Sequence, residues 1–238
     1  MGAFDLETVD RLLTTTKAVR QRLDLERPVP RELITECIRI GCYAPNASNA
    51  QEWWWVVVDD DEQKARVADV YRDVLVPRVT QMLAVKEAAG DEPGARISRS
   101  ILYLADHLHE VPALVIPCYD VKAALVRYQT LIPDPGPLGL STHMDSGMFA
   151  SIIPAVWNFQ LALHSRGLGS VLTTAHQLEQ PKMAGVLGIP NDWFQVALIP
   201  VAYTVGDDFK PSPRKPVDDV VIWNRYERRC VSQGPIGR

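Results

Sequence analysis

The sequence predicts a single α+β domain that extends over all 238 residues. Several segments carry apolar residues at helical spacing, and three short apolar runs at residues 53–58, 113–118 and 194–201 are predicted as buried strands. These segments do not alternate regularly enough for a doubly wound parallel sheet. No internal repeat, linker or change in composition divides the chain, which favours one domain over two.

Helical spacing of apolar residues predicts six helices. The third is the longest, and we expect a kink at Pro77 before Gly90 ends it. The fifth ends at Gly167, which suits a left-handed helix cap. The predicted helices cover residues 6–13, 33–40, 62–89, 97–108, 152–163 and 181–187.

The remaining segments are predicted as strands or irregular chain. Trp53–Val58 is predicted as a central strand, because all six side chains are apolar and favour β-structure. A further strand is expected at residues 170–174. Residues 120–147 are mixed in character, with prolines and glycines crowded together, so we expect an irregular excursion or lid over the surface.

Composition and charge exclude several classes of protein. The formal net charge of -4, from 25 basic and 29 acidic residues, lacks the basic excess of a protein that binds nucleic-acid phosphates. No apolar stretch approaches the ~18 residues needed to span a bilayer, and the first residues resemble no secretion signal. We therefore expect a cytoplasmic protein, with neither nucleic acid nor a membrane as a partner.

The sequence also predicts no metal site. The four cysteines form no CxxC pair, and His107 and His109 are two positions apart in a helical pattern, so they lie on different faces. The GxSxG, HExxH and GxxxxGK[ST] patterns are missing. Gly167-Leu168-Gly169 follows a helix and precedes a strand, which is the wrong order for a Rossmann turn.

Cationic residues cluster near both ends of the chain. Lys17, Arg20 and Arg22 lie near one end, and Arg214 and Lys215 lie between prolines near the other. Together these side chains could hold a phosphate group. The alternative is that they are solvated surface charges.

Four motifs follow one another along the chain. They are Lys17-Ala18-Val19-Arg20 followed by Pro28-Val29-Pro30, Ala44-Pro45-Asn46-Ala47-Ser48-Asn49-Ala50-Gln51-Glu52-Trp53, Gly167-Leu168-Gly169-Ser170, and Ile199-Pro200-Val201-Ala202-Tyr203 followed by Arg214-Lys215-Pro216. In this order they resemble the FMN-dependent nitroreductase family over nearly the whole chain, although the resemblance does not cover the proline-rich middle. The resemblance implies a central mixed β-sheet flanked by helices, bound FMN and an intertwined homodimer, with the tail at 210–238 reaching the partner subunit.

The same resemblance implies the residues that bind FMN. One group holds the phosphate and ribityl chain, and its Arg20 also reaches the N1/C2-carbonyl edge, where reduction places negative charge. A second group comes from the partner subunit and lines the ring. A third presents a backbone N–H to flavin N5. The three groups are Thr16, Lys17, Ala18, Arg20 and Arg214; Pro45, Asn46, Ala47 and Asn49; and Thr173, Thr174 and Ala175.

Three positions depart from the family pattern. The family often has Arg at the position of Thr16 and Ser at that of Ala18, and both side chains touch phosphate. We expect the hydroxyls of residues 14–16 to recover part of the lost contact. Asn46 replaces a common Ser, which keeps a hydrogen-bonding group but adds bulk beside the ring.

The function implied is an FMN-dependent oxidoreductase that works by two alternating half-reactions. Hydride passes from NAD(P)H to flavin N5 and then to an electron-poor acceptor such as a nitroaromatic or quinone, so no catalytic side chain is expected. The alternatives are a flavin carrier or sensor without turnover, a flavin-dependent dehydrogenase of the same fold, and a dimeric interaction protein without flavin. His176 follows the N5 segment and is either part of the pocket or an ordinary histidine.

Overall fold

The computed structural model describes residues 4–134 and 139–225, and the sheet in this part of the chain has five strands. The order is β1-β2-β5-β3, and β4 pairs with β2 beyond the end of β5. All four strand pairings are antiparallel, and parallel pairing is limited to a bridge between Ala18 and Ser170. The strands are β1 Trp53–Val58, β2 Ala113–Asp120, β3 Leu168–Ser170, β4 Trp193–Gln195 and β5 Ile199–Tyr203.

Seven α-helices surround this sheet in the described residues. The longest, α3, continues through Pro77, and the side chain of Asp60 caps it by accepting a hydrogen bond from the backbone N–H of Gln63. Two short 3₁₀ helices at Ala47–Asn49 and Ala175–Glu179 lie in the segments predicted to bind a cofactor. The helices are α1 Leu6–Thr15, α2 Arg31–Gly41, α3 Asp61–Ala88, α4 Glu92–His107, α5 Val121–Leu131, α6 Gly139–His164 and α7 Gln180–Leu187.

The sheet separates two hydrophobic cores, because successive residues of a strand face opposite sides. Val115 of β2 packs in one core with α2, α5 and α6, whereas its neighbours Leu114 and Ile116 pack in the other with α3, α4 and α7. Gly41 lets α2 approach α6 closely, since a Cβ there would lie 2.8 Å from the carbonyl oxygen of Ala155. This contact fixes the end of α2, from which the loop at 44–51 continues.

The prediction of a central strand at β1 is wrong, because β1 lies at the edge of the described sheet and pairs there with β2 alone. Its apolar side chains find other partners. Trp55 packs against Phe159, while Trp54 is 51% exposed and stacks on Trp193 with ring centroids 4.6 Å apart. Aromatic stacking between strands on either side of β2 thus produces the same sequence pattern as burial in a central strand.

Residues 120–147, for which we expect an excursion or lid over the surface, include α5 and the first turns of α6. Asp120 caps α5 by accepting a hydrogen bond from the N–H of Ala123. Gly147 leaves room for Tyr128, whose hydroxyl occupies the place of a Cβ. The prolines and glycines that suggested an excursion are confined to the connection between the two helices.

The predicted strand at 194–201 is two strands, β4 and β5, separated by Val196–Leu198. The strand expected at 170–174 begins earlier, at Leu168, and its regular part ends at Ser170. Beyond it, Thr173 keeps a backbone bridge to Leu198.

The expectation that no segment is apolar and long enough to cross a membrane does not hold for α6. This helix has 26 residues and meets that requirement by length and composition, although half of its most apolar window is buried inside the fold. Its buried residues include Ile152, Val156 and Phe159, which pack against the sheet. The apolar character of this face is that of a core helix.

Candidate functional site

A cavity of about 460 Å³ lies between the end of α1, the first half of α4 and the start of the C-terminal tail. We call it the cationic cavity, because basic side chains from distant parts of the sequence line it. The residues that line it include Lys17, Ala18, Arg20, Arg96, Ser100 and Phe209. A site with this charge fits a ligand with an anionic group.

The segment at 17–20 is held beside β3. The backbone N–H of Val19 donates a hydrogen bond to the carbonyl oxygen of Ser170 at 3.0 Å. Gly169 permits this approach, because a Cβ there would lie 2.7 Å from Cγ2 of Thr204 and 3.1 Å from Cγ1 of Val19. Two of the motifs noted in the sequence are therefore neighbours in space.

Arg20 is a cation without a counter-ion. Its side chain is partly buried, and it has no hydrogen bond and no ion pair among residues 4–134 and 139–225. Burial lowers the pKa of this guanidinium, and the described group that interacts with it electrostatically is the Tyr71 hydroxyl. A partly buried charge is costly without an opposite charge, so Arg20 is prepared for an anionic ligand.

Arg22 has a different role, although it also lines the cationic cavity. Its guanidinium pairs with Asp208 at 2.7 Å, its Nε donates to the carbonyl oxygen of Val205 at 2.8 Å, and it lies 4.3 Å from the ring centroid of Phe209. Its polar capacity is largely used. Arg22 therefore fixes the start of the tail against the wall of the cavity.

The threonine hydroxyls at 14–16 are all engaged by the backbone of α1. Each donates to a backbone carbonyl one turn earlier in α1, as hydroxyls near a helix end often do. The backbone N–H of Thr16 also donates to the carbonyl oxygen of Leu12. Both donors of Thr16 are engaged, so this side chain offers no donor to a phosphate in this structure.

Arg96 and Ser100, on α4, are lining residues that the sequence reasoning missed. They lie about 80 positions from Lys17, and no motif marks them. The one sequence signal is helical spacing, since residues four apart share a helix face. Lys17 itself donates to the carbonyl oxygen of Lys210 at 3.3 Å, which ties the tail to the same wall.

The predicted N5 segment is fixed at one residue and has free donors at the next two. Thr173 exchanges two backbone hydrogen bonds with Leu198, and its hydroxyl lies 2.9 Å from that of Tyr71. The backbone N–H groups of Thr174 and Ala175, at the start of the 3₁₀ helix, have no acceptor in the described part of the chain. Such orphan N–H groups suit an acceptor atom of a ligand.

The loop at 45–49 has an unusual backbone. Ser48, Asn49 and Gln51 all have positive φ, at 55°, 51° and 52°, which non-glycine residues rarely adopt. Ser151 on α6 accepts a hydrogen bond from the N–H of Ala47, and the Asn46 side chain accepts one from the N–H of Gln51. Clusters of strained residues held by their surroundings are typical of ligand-binding sites.

The structure thus brings some predicted residues together within one chain and leaves others apart. Lys17, Ala18 and Arg20 share the cationic cavity, and Tyr71 links Arg20 to Thr173. The lining includes none of residues 45–49. Arg214 is exposed, with its Nη1 donating to the carbonyl oxygen of Pro213, and it does not line the cavity either.

His176 is fully buried and does not line the cationic cavity. Neither ring nitrogen has a hydrogen-bond partner in the described residues, and burial lowers its pKa to about 4. The ring is therefore neutral near pH 7. The described residues contain no group of three or more His, Cys, Asp or Glu side chains that could hold a metal ion.

Comparison with known proteins places the chain among flavoprotein folds. The family model described as the nitroreductase family matches residues 13–203, which is most of the chain. No curated protein sequence matches this chain significantly.

Three solved structures illustrate the likeness. Oxidized iodotyrosine deiodinase bound to FMN and 3-iodo-L-tyrosine has a TM-score of 0.64 and 22% identity, covering 92% of this chain and 100% of that chain. A BluB-like flavoprotein from Clostridium difficile 630 gives 0.65 and 18%, covering 94% and 100%. Nitroreductase A from Vibrio parahaemolyticus RIMD 2210633 gives 0.65 and 16%, covering 94% and 78%. At these identities the likeness is one of fold.

Proposed function

Given that this chain belongs to the nitroreductase family, we propose that it is a cytoplasmic FMN-dependent oxidoreductase that uses NAD(P)H to reduce an electron-poor acceptor. When bound, FMN would supply the redox chemistry, taking hydride at N5 from NAD(P)H and passing it to a nitroaromatic, quinone or similar acceptor. The chain's own residues would bind and orient the reactants.

The observation that carries the proposal is the unpaired guanidinium of Arg20 in the cationic cavity. Together with Lys17 and Arg96 it offers the positive charge that a phosphate monoester requires. A cation that also reaches the N1 edge of the flavin would favour the reduced, anionic cofactor over the oxidised one. This is a differential interaction, and it makes reduction easier.

The orphan N–H groups of Thr174 and Ala175 support the same assignment. A backbone donor can polarise flavin N5 without placing a side chain in the path of the hydride. Thr173 holds these donors in place through its two hydrogen bonds with Leu198. A backbone donor for flavin N5 is therefore available in this segment of the chain.

The second half of the site would come from a partner subunit in a homodimer. Pro45, Asn46, Ala47 and Asn49 do not line the cationic cavity of their own chain, and the side-chain amide of Asn49 has no hydrogen bond in the described residues. Across a dimer interface, that amide could offer both a donor and an acceptor to the ribityl chain or ring. The tail, described as far as residue 225, would reach the partner along with Arg214.

The test is spectroscopic. The purified protein is saturated with FMN and titrated anaerobically with NADH and, separately, NADPH, while the flavin absorption is followed. Bleaching followed by recovery on addition of a quinone supports the oxidoreductase. A flavin that stays oxidised with both donors indicates a carrier or sensor, and a protein that binds no FMN contradicts the proposal altogether.

Arg20→Ala provides the matched variant for this experiment. We expect weaker FMN binding and a more negative midpoint potential, because the cation interacts more strongly with the reduced cofactor. Arg214→Ala serves as the comparison, since a phosphate contact treats both redox states alike and changes affinity alone. An unchanged potential in Arg20→Ala that still holds FMN would remove Arg20 from the N1 edge.

A further inference from the structure

We propose that Tyr71 is a positioning residue for the flavin site, whose buried hydroxyl fixes the N5 segment through its hydrogen bond with Thr173 and interacts with the charge of Arg20. The inference rests on the proposed function, because it concerns the two groups assigned to opposite sides of the flavin ring. Tyr71 carries no motif, and neither the family match nor the sequence analysis assigns it a role.

Tyr71 lies on α3 and is 1% exposed. Its ring belongs to the hydrophobic core between the sheet and helices α3, α4 and α7, together with Val171 and Val19. Val19 directly precedes Arg20, and Val171 lies two positions before Thr173. Tyr71 therefore packs in the core beside the chain segments that carry the two parts of the proposed site.

The hydroxyl of Tyr71 connects to both parts. It lies 2.9 Å from the hydroxyl oxygen of Thr173, within hydrogen-bond distance. It also interacts electrostatically with the guanidinium of Arg20, which has no other polar partner in the described residues. An acceptor lone pair on the phenol oxygen can face the cation while the O–H donates to Thr173.

This arrangement fixes the donors that the flavin would use. Thr173 is held by its backbone bonds to Leu198 and by the bond to Tyr71, and the free N–H groups of Thr174 and Ala175 follow directly. The pre-arranged donors and the cation act on charge that develops during reduction, so their placement affects the reduced state most. A hydroxyl that served only stability would affect both redox states equally.

The experiment compares Tyr71→Phe with Tyr119→Phe. Both residues are buried tyrosines with a hydrogen-bonded hydroxyl, but Tyr119 lies in the other hydrophobic core, where it donates to Glu52 and accepts from Arg127, and it does not line the cationic cavity. In Tyr71→Phe we expect the preference for reduced over oxidised FMN to fall about fivefold, a shift of about 20 mV to more negative potential for a two-electron couple. In Tyr119→Phe we expect no shift.

A second measurement needs no cofactor. Hydrogen exchange of the apoprotein, followed by mass spectrometry, should become faster for the backbone N–H of Thr173, which bonds to Leu198, in Tyr71→Phe and stay unchanged there in Tyr119→Phe. A Tyr71→Phe protein that holds FMN with unchanged potential overturns the proposal, and so does an equal shift in both variants. If the wild type binds no FMN, the proposed function fails, and the exchange rates alone support or overturn the positioning role.

Discussion

Three guanidinium groups around the cationic cavity differ in how much of their hydrogen-bonding capacity is used. Arg22 is engaged by the tail, Arg20 is partly buried and free, and Arg96 is exposed at the rim. Removing an exposed cation has little effect on the stability of the fold, so any change in ligand affinity can be attributed to the lost contact with the ligand. Arg96 is therefore the best residue for separating recognition of the phosphate from recognition of the flavin ring.

We predict that Arg96→Ala weakens FMN binding by roughly tenfold, the effect of one charge-assisted hydrogen bond of about 1.5 kcal/mol. Binding of riboflavin, which lacks the phosphate, should not change. Fluorescence titration of the apoprotein with both flavins measures the difference. Arg99→Ala is the control, because Arg99 lies on the same helix but pairs with Glu87 and Glu92. Equal losses for FMN and riboflavin would contradict a phosphate contact.

The buried imidazole of His176 should make the fold sensitive to acid. Burial lowers its pKa to about 4 from an ordinary 6.5, so between these values the unfolded chain binds a proton that the folded chain does not. The free energy of unfolding should therefore decrease as the pH falls from 6.5 towards 4, by about 3 kcal/mol in total from this group. Above pH 6.5 this loss is absent.

We predict that His176→Phe removes this contribution. Urea denaturation at pH 7.0, 5.5 and 4.5 should show that the variant loses less stability with acid than the wild type does. His109→Gln, which changes a more exposed histidine, is the control and should follow the wild type. Parallel curves for His176→Phe and the wild type would show that His176 is not the titrating group.

At the scale of elements, α5 lies in the segment for which the sequence predicted an excursion and not a helix. It is attached by an ion pair that is largely buried, in which Arg127 donates two hydrogen bonds to Glu52 at 2.8 and 2.7 Å, and Tyr119 donates a third. Burial alone would raise the pKa of Glu52, but the bonds from Arg127 and Tyr119 lower it below its ordinary value. The carboxylate is thus held ionised beside the loop at 44–51.

We predict that Arg127→Met destabilises the protein by about 3 kcal/mol, because it leaves the charge of Glu52 buried without its partner. The double variant Glu52→Gln with Arg127→Met should recover part of the loss, since no buried charge remains. Lys182→Met breaks an exposed pair with Asp73 and should destabilise the protein far less. Urea denaturation at pH 7 measures the free energy of unfolding of the wild type and the three variants. If Arg127→Met destabilises the protein as little as Lys182→Met does, the pair of Arg127 and Glu52 is effectively solvated.

The elements that the sequence predicted well are those whose pattern has one cause. Periodic apolar residues predicted α2, α3 and α7, because a core-facing helix produces that pattern directly. The pattern of β1 has two possible causes, burial between strands or aromatic stacking at an edge, and periodicity does not distinguish them. The prolines and glycines between α5 and α6 dominated the composition of residues 120–147. For this reason the sequence did not predict α5 or the start of α6.

The same reasoning explains what was found of the candidate site. Lys17, Ala18 and Arg20 form a contiguous motif, so a resemblance detects them, and the structure places them in one cavity. Arg96 and Tyr71 reach the site from separate helices, and tertiary packing alone brings them there. The hydroxyls at 14–16 were expected to face a ligand, but the end of α1 offers them backbone acceptors at closer range.

At the scale of the whole molecule, α6 has an apolar face that the single chain leaves open. Phe149, Ile153 and Trp157 are spaced four residues apart, so they form one stripe, and each is about 40% exposed. The opposite face of α6 packs in the core, and the stripe lies beside the loop at 44–51. This position suits the centre of the expected homodimer.

We predict that Trp157→Glu converts a dimer into a monomer and lowers FMN occupancy, because half of each site would come from the partner. Val85→Glu is the control, since Val85 is an exposed apolar residue of α3 at 63% exposure. Light scattering coupled to size exclusion, with the flavin absorption recorded, measures both effects. A monomeric wild type that keeps FMN at full occupancy would contradict the dimer and the assignment of residues 46–49 to it.

The contact between Arg22 and Asp208 joins positions 186 residues apart, and it has a consequence for how the protein is made. Closing so long a loop has an entropic cost, so the wall that this contact completes forms after the local helices. Synthesis must therefore have passed residues 205–209 before they can meet the segment at 17–22. A ligand that needs this wall can be bound only after that point, so completion of the cationic cavity follows translation of both segments.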